Sequence, residues 1–184
     1  MRFFFSRHTP TFTRVLLVES GSRSLLDNLI PGLYQLYGDD LVIDLLTCYP
    51  GAPAGFRPTG AVYRVTDFPH SAGRKLLYRT LAGNRYSILG IVCSAEPILA
   101  RWKWLLAFLL PAKVFVLNEN GDYFWLDYAH WPTIRHFVLF RAGLAGAGAV
   151  PTLARLFLFP FTLLYLLLWA AAVHLARIWR RALS

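Results

Sequence analysis

Acidic residues are absent from the last part of this 184-residue sequence, because no Asp or Glu follows Asp127. Six arginines and no acidic residue give the segment after Asp127 a charge of +6, out of a net charge of +9 for the chain. Basic residues that flank an apolar segment attract anionic lipid head groups. We therefore expect membrane lipid, and no nucleic acid, as the partner of the positive charge.

Cysteine is scarce, with Cys48 and Cys93 as the only two, and each lies in an apolar run typical of a buried strand. This usage argues against a disulfide scaffold and favours small core residues in a reducing, cytoplasmic setting. The N-terminus has an apolar stretch of only three phenylalanines and no small-residue cleavage site. We do not interpret it as a signal peptide.

Several sequence motifs of catalysis are missing. The chain has no GxGxxG, no GxxxxGK[ST] and no GxSxG motif, which argues against a dinucleotide-binding domain, a P-loop ATPase and an α/β-hydrolase. His130 and His136 lack a third ligand at metal spacing. We therefore predict no metal site and no cofactor.

One long apolar run stands near the end of the chain. Residues 156–176 carry no charge, and as a helix they would be about 31 Å long, close to the hydrocarbon thickness of a bilayer. We predict a transmembrane or membrane-inserted helix here, with an unusually apolar core helix as the alternative. A Gly/Ala-rich hinge at 142–155 precedes it, a basic tail at 177–184 follows it, and Pro160 permits either a single span or a kinked, re-entrant segment.

The preceding region alternates short apolar strands with helical stretches. After an N-terminal extension at 1–13, the pattern predicts an α/β Rossmann-like domain at 14–141, with a mostly parallel sheet of about five strands and flanking helices. The predicted strands are 14–18, 41–47, 61–65, 87–93 and 113–117. The predicted helices are 24–37, 74–81, 97–110 and, more weakly patterned, 133–141.

Polar residues follow the predicted strands, where ligands bind in open α/β sheets. Carboxylates in this position suit a general base, and the candidate catalytic residues are Glu19, Glu96 and Glu119. The candidate ligand-binding residues are Ser20, Ser22, Arg23, Asp67, Ser94, Asn118, Asn120 and Asp122.

Two of these loops allow a purely structural interpretation as well. The loop from Glu19 to Ser24 leads into a helix N-terminus that would favour an anion, or Ser24 is simply an N-cap with Asp27 at N3. The run LNENGDYFWLD after the fifth strand suits a hydroxyl-rich ligand stacked on Tyr123 or Trp125, or it is a hairpin turn at Asn120 and Gly121. The two interpretations of this run are compatible.

The arrangement of strands and loops resembles the N-terminal, acceptor-side half of GT-B glycosyltransferases of the heptosyltransferase type. The segments that carry the resemblance are RVLLVESGSRSLLDNLIPGLYQLYGDDLVIDLL and NRYSILGIVCSAEPILARWKWLLAFLLPAKVFVLNENG. The sequence departs from the family at the catalytic Asp, whose position is Leu25 here, so Glu19 or Asp27 would have to replace it. A membrane segment also stands in place of the donor-binding half.

The resemblance implies a membrane-anchored, glycosyltransferase-like domain at the cytoplasmic face of the cell membrane. Its expected role is envelope polysaccharide or lipid-linked glycan assembly. A lipid-linked glycan would be the acceptor, and a separate subunit would bind the donor. The alternative is a non-catalytic membrane-anchored scaffold or ligand-binding module, which the missing Asp and the missing donor half favour.

Overall fold

A computed structural model describes residues 3–94, 98–144 and 149–182 of the chain. The chain divides into two compact units, Met1–Trp131 and Pro132–Ser184. The first unit is an α/β domain and the second is helical. The predicted α/β architecture and the apolar C-terminal helix are therefore confirmed.

A six-stranded sheet forms the centre of the first unit. The strands are β1 (Arg14–Val18), β2 (Val42–Thr47), β3 (Val62–Arg64), β4 (Ile88–Cys93), β5 (Lys113–Asn118) and β6 (Tyr123–Trp125). Their order is β3-β2-β1-β4-β5-β6, with β1 to β5 parallel and β6 antiparallel to β5. The sheet thus has the predicted mostly parallel character, with one antiparallel strand at its edge.

Helices connect the parallel strands and cover both faces of the sheet. They are α1 (Arg23–Tyr37), α2 (His70–Gly83) and α3 (Ala100–Leu109). Strand order reverses between β1 and β4, so right-handed crossovers place α1 on one face and α2 and α3 on the other. Single turns of 3₁₀ helix, Val65–Asp67 and Tyr128–His130, occur beside the edge strands.

The core forms because the central strands are apolar at most positions. In β1, Val15 and Leu17 pack with Leu26 and Ile30 of α1, all of them buried. Successive strand residues point to opposite faces, so Leu16 of the same strand is buried on the α2–α3 face. A parallel strand buried on both sides needs this pattern of consecutive apolar residues.

The second unit contains most of α4 (Trp131–Arg141) and all of α5 (Ala149–Ala182). Helix α5 is continuous through Pro160, and it begins at Ala149, upstream of the predicted start at Leu156. Its segment Val150–Leu175 is long and apolar enough to span a membrane. The mean hydropathy of the segment is 2.2, and none of it is buried inside the protein. Apart from Thr152, the described side chains of this segment are exposed, as those of a lipid-facing helix would be.

Candidate functional site

The carboxyl ends of β1, β2, β4 and β5 lie along one edge of the sheet, as the parallel pairing requires. Val18 at the end of β1 pairs with Leu46 of β2 and Ile91 of β4, and Cys93 pairs with Asn118 of β5. This edge includes the point between β1 and β4 where strand order reverses. It is the position where open α/β sheets bind ligands.

Glu19, directly after β1, is fully buried and held by its neighbours. Its Oε1 accepts a hydrogen bond of 2.7 Å from Arg23 Nε, and its Oε2 accepts one from the Thr47 hydroxyl. Arg23 also donates to the Pro50 carbonyl at 2.8 Å, and its guanidinium lies over the Tyr49 ring. The hydrogen bond to Glu19 raises the pKa of Arg23, although burial acts in the opposite direction. Glu19 is therefore an internal ion-pair partner that ties the loop after β1 to the end of β2.

The predicted ligand residues Ser20 and Ser94 are also engaged within the fold. Ser20 donates from Oγ to the Val92 carbonyl, and Ser94 donates from Oγ to the Ser20 carbonyl at 3.2 Å. Gly21 lies so close that an added Cβ would stand 2.7 Å from Ser94 Oγ. These contacts close the loop after β1 onto the end of β4. The positions thus fix the loop rather than present free hydroxyls.

The start of α1 does not use the predicted Ser24 cap. The helix begins at Arg23, and Ser22 at its N-cap makes no side-chain capping bond. The Ser22 and Ser24 hydroxyls instead contact each other at 2.7 Å, and Asp27 Oδ1 accepts a bond from the Ala54 amide. The Asp27 carboxylate therefore stabilises the loop before β3 and does not complete a capping box.

The run after β5 is a tight hairpin turn, as one of the two interpretations predicted. Asn118 Oδ1 accepts hydrogen bonds of 2.9 Å from the amides of Asn120 and Asp122. Gly121 adopts a φ of +85°, a left-handed conformation that suits glycine. The polar side chains of this run are thus accounted for largely by the turn.

The predicted carboxylates do not gather at one point. Asp67 follows β3 at one side of the sheet and Glu119 follows β5, four strands away, so the strands that carry them are separated by roughly 19 Å. Glu19 is buried between them, and Glu119 is exposed in the turn. Glu96 lies outside the described residues. Of the two described catalytic candidates, Glu19 is thus buried within the fold and Glu119 lies at its surface.

A cavity of about 380 Å³ opens between α1 and the hairpin of β5 and β6. Its size is in the range of small-molecule sites. Five aromatic side chains and the leucines of α1 form most of its wall, and Thr9 and Asn28 add polar groups. The aromatic lining residues are Phe12, Tyr37, Phe115, Tyr123 and Trp125.

The aromatic rings of the cavity form a connected set. Phe12 stacks on Tyr37 with ring centroids 3.7 Å apart and meets Trp125 edge-on at 6.1 Å. Phe115 contacts Trp125 at 5.8 Å and Tyr123 at 6.5 Å. Tyr123 is 65% exposed and Tyr37 is 44% exposed, so ring surface is available to a ligand. Tyr123 and Trp125, the two rings that the sequence predicted to stack on a ligand, thus both line this cavity.

A buried polar cluster lies beside this cavity, at the amino end of β5. Lys113 Nζ contacts Asp127 Oδ2 at 2.7 Å, and His130 Nδ1 contacts Asp127 Oδ1 at 2.7 Å. Burial raises the pKa of Asp127, but hydrogen bonds from Lys113 and His130 outweigh it and hold that pKa below its usual range. Lys113 also donates to the Ser6 carbonyl at 2.9 Å, and its ammonium lies 5.6 Å from the centroid of the Trp125 ring. This cluster ties the N-terminal segment to the strand that forms the cavity wall.

Comparison of the chain with protein-family models, with curated proteins and with solved structures found no match.

Sequence reasoning identified two rings of the cavity and missed the rest of its wall. Phe12, Gly32 and Tyr37 lie far from Trp125 in the sequence, and only the fold brings them together. The available signal was the local richness in aromatic residues at Tyr123 to Trp125. Nothing local marks Gly32, in the middle of α1, as a lining residue.

Proposed function

We propose that the protein is a membrane-anchored, glycosyltransferase-like domain that holds the glycan of a lipid-linked acceptor in its aromatic cavity. Its setting would be envelope polysaccharide or lipid-linked glycan assembly at the cytoplasmic face of the cell membrane. The observation that carries the proposal is the wall of five aromatic rings around a cavity of about 380 Å³.

The cavity offers both apolar surface and hydrogen-bonding groups, a combination that a sugar can use. Aromatic rings offer flat apolar surfaces for stacking, and Tyr side chains add a hydroxyl for hydrogen bonding. A sugar ring has an apolar face and hydroxyls at its edge. Asn28 and Thr9 supply further hydrogen-bonding groups at the wall.

The apolar helix α5 supports the lipid part of the proposal. A covalent membrane anchor keeps the α/β domain close to the bilayer, where a lipid-linked acceptor also resides. The domain then searches for the acceptor in two dimensions. Confinement to the same membrane raises the effective concentration of the acceptor, as tethering does for two linked binding partners. The anchor and the cavity thus serve the same step.

The hydrogen bonds that Glu19 accepts within the fold favour acceptor binding over catalysis as the role of this domain. A general base needs a carboxylate within reach of a substrate proton, whereas both Glu19 oxygens already accept bonds within the fold. We therefore assign donor binding and proton abstraction to a partner subunit. The second candidate function is a non-catalytic scaffold without any glycan, which this same engagement of Glu19 also favours.

Purification of the tagged full-length chain from its native membranes in mild detergent tests the proposal. Mass spectrometry would identify the polypeptides that accompany it. A partner with a nucleotide-sugar-binding domain is the expected result. Purification alone, or with unrelated membrane machinery, would favour the scaffold.

The variant Glu19→Gln shows whether the partner subunit or Glu19 supplies the general base in such a complex. If the partner supplies the base, the variant should form glycan product at the wild-type rate as long as it remains folded. Loss of product with an unchanged circular dichroism spectrum would instead assign the base to Glu19. Asp40→Asn, at an exposed position after α1 and outside the candidate site, is the matched surface control.

A further inference from the structure

Helix α3 exposes large apolar side chains in the part of the chain that the structure describes. Four large side chains on the outer side of this ten-residue helix are solvent-exposed, at 39% to 62%. They alternate with buried residues such as Trp102 and Leu106, which pack toward the sheet. The exposed residues are Trp104, Leu105, Phe108 and Leu109.

Helix α2 lies on the same face of the sheet and adds positive charge to this surface. Its outward side carries exposed basic residues around Leu76, which is itself 58% exposed. Arg101 in the first turn of α3 contributes a further exposed cation. The basic residues of α2 are Arg74, Lys75 and Arg79.

Acidic residues are absent from the two helices themselves. Neither α2 nor α3 contains an Asp or a Glu. Between Asp67 and Glu119 the sequence holds a single acidic residue, Glu96. The described residues of α2 and α3 therefore combine exposed large apolar side chains with exposed cations, and none of them is acidic.

This combination matches the chemistry of one occupant, an anionic bilayer surface. Lipid head groups such as phosphatidylglycerol attract Arg and Lys, and the acyl region accepts Leu and Phe. Trp is enriched at the boundary between these two layers. A protein partner with an acidic rim is the competing occupant, but the chain already carries a helix suited to a membrane.

We propose that the outer surface of α2 and α3 binds the anionic bilayer directly, as a second membrane contact besides α5. This contact would orient the α/β domain on the membrane. It goes beyond the proposed function, since it concerns neither the cavity nor the glycan. It would hold even if the cavity proved to have another ligand.

Photo-crosslinking of the full-length protein in proteoliposomes tests this contact. The photoreactive residue p-benzoylphenylalanine would replace Leu105 in α3, or Gln35 in α1 as the matched control on the opposite face. The vesicles would contain phosphatidylcholine with phosphatidylglycerol. We expect a light-dependent lipid adduct at position 105 and none at position 35.

The products of the crosslinking decide between the possible occupants. An adduct at position 105 with another part of the chain, or with a second copy, would overturn the proposal, and so would the absence of any adduct. Equal lipid adducts at both positions would show that the anchor alone brings the domain to the lipid, and would also contradict it. Co-flotation of the protein with the vesicles confirms insertion in each case, so that a failure here is distinct from a failure of the anchor.

Neutralisation of the cations provides an independent readout. The adduct at position 105 should be lost when phosphatidylcholine alone forms the vesicles, and reduced when four basic residues are replaced. An adduct that is insensitive to both changes would contradict the electrostatic part of the proposal. The replacements are Arg74→Gln, Lys75→Gln, Arg79→Gln and Arg101→Gln, all at exposed positions.

Discussion

Replacement of Gly32 by Phe should plug the aromatic cavity and stabilise the protein at the same time. Gly32 lines the cavity from the middle of α1, and a Cβ added there meets no atom within 4 Å. A β-carbon therefore fits at this position, and we expect a larger side chain to extend from it into the cavity.

The expected change in the free energy of unfolding has two contributions, helix propensity and burial of the new side chain. Glycine inside a helix costs about 0.5–1 kcal/mol relative to alanine, so Gly32→Ala should raise the free energy of unfolding by about that amount. The Phe ring loses roughly 0.5 kcal/mol in helix propensity relative to Ala but gains about 1–2 kcal/mol from burial in the cavity. Gly32→Phe should then exceed Gly32→Ala by about 0.5–1.5 kcal/mol.

Urea unfolding of the full chain in detergent, followed by tryptophan fluorescence, measures these free energies. Gly83 is the control position, because it also lacks neighbours within 4 Å but lies exposed at the end of α2. At position 83 the Phe variant should have a lower free energy of unfolding than the Ala variant, since no burial offsets the lower helix propensity of Phe. If Phe also ranks below Ala at Gly32, then position 32 does not face an open cavity and the reasoning is refuted.

Three further substitutions probe the interior. Asp127→Asn leaves buried Lys113 without its charged partner and should cost about 3–5 kcal/mol of unfolding free energy. Because the pKa of Asp127 is lowered in the fold, wild type should keep this contribution above the unfolded pKa of about 3.9 and lose it as the pH falls through the folded pKa. Gly90→Val should cost about 1–3 kcal/mol, since an added Cβ would stand 2.5 Å from the Phe115 ring. Glu19→Gln should cost about 1–3 kcal/mol through its weakened bonds to a half-exposed arginine.

Urea titrations at several pH values measure the free energy of unfolding of these variants and can contradict each prediction. If Asp127→Asn and wild type lose stability in parallel between pH 5 and pH 2, the ionised carboxylate does not stabilise the cluster. Replacement of both Lys113 and Asp127 by apolar residues should recover much of the loss. Unchanged stability in Gly90→Val would contradict the tight contact of β4 with Phe115. Unchanged stability in Glu19→Gln would contradict its role as an internal ion-pair partner.

The strands were largely predictable because each carries its own signal. A continuous apolar run marks β1 at Arg14–Val18, and the predicted and observed bounds agree. The order of the strands was not predictable, since it depends on which distant segments pair. The continuous helix through Pro160 also required the structure, because the sequence permitted a kink or a re-entrant segment there.

The candidate site was less predictable than the fold for a physical reason. The role of a polar side chain depends on partners that are distant in sequence. Glu19 follows a strand, as a general base would, but Thr47 and Arg23 occupy its oxygens. Asp44 stands inside an apolar strand without any local sign of its partners, yet it accepts bonds from Arg14 and Tyr86.

Lipid analysis of the purified protein tests the central proposal most directly. Wild type, Gly32→Phe and Gly83→Phe would be isolated from native membranes in lipid nanodiscs, and their extracted lipids would be examined by mass spectrometry for attached sugars. We predict a glycolipid with wild type and Gly83→Phe, and its loss with Gly32→Phe. An equal amount of glycolipid with all three proteins, or none with wild type, would contradict the assignment of the aromatic cavity to a lipid-linked glycan.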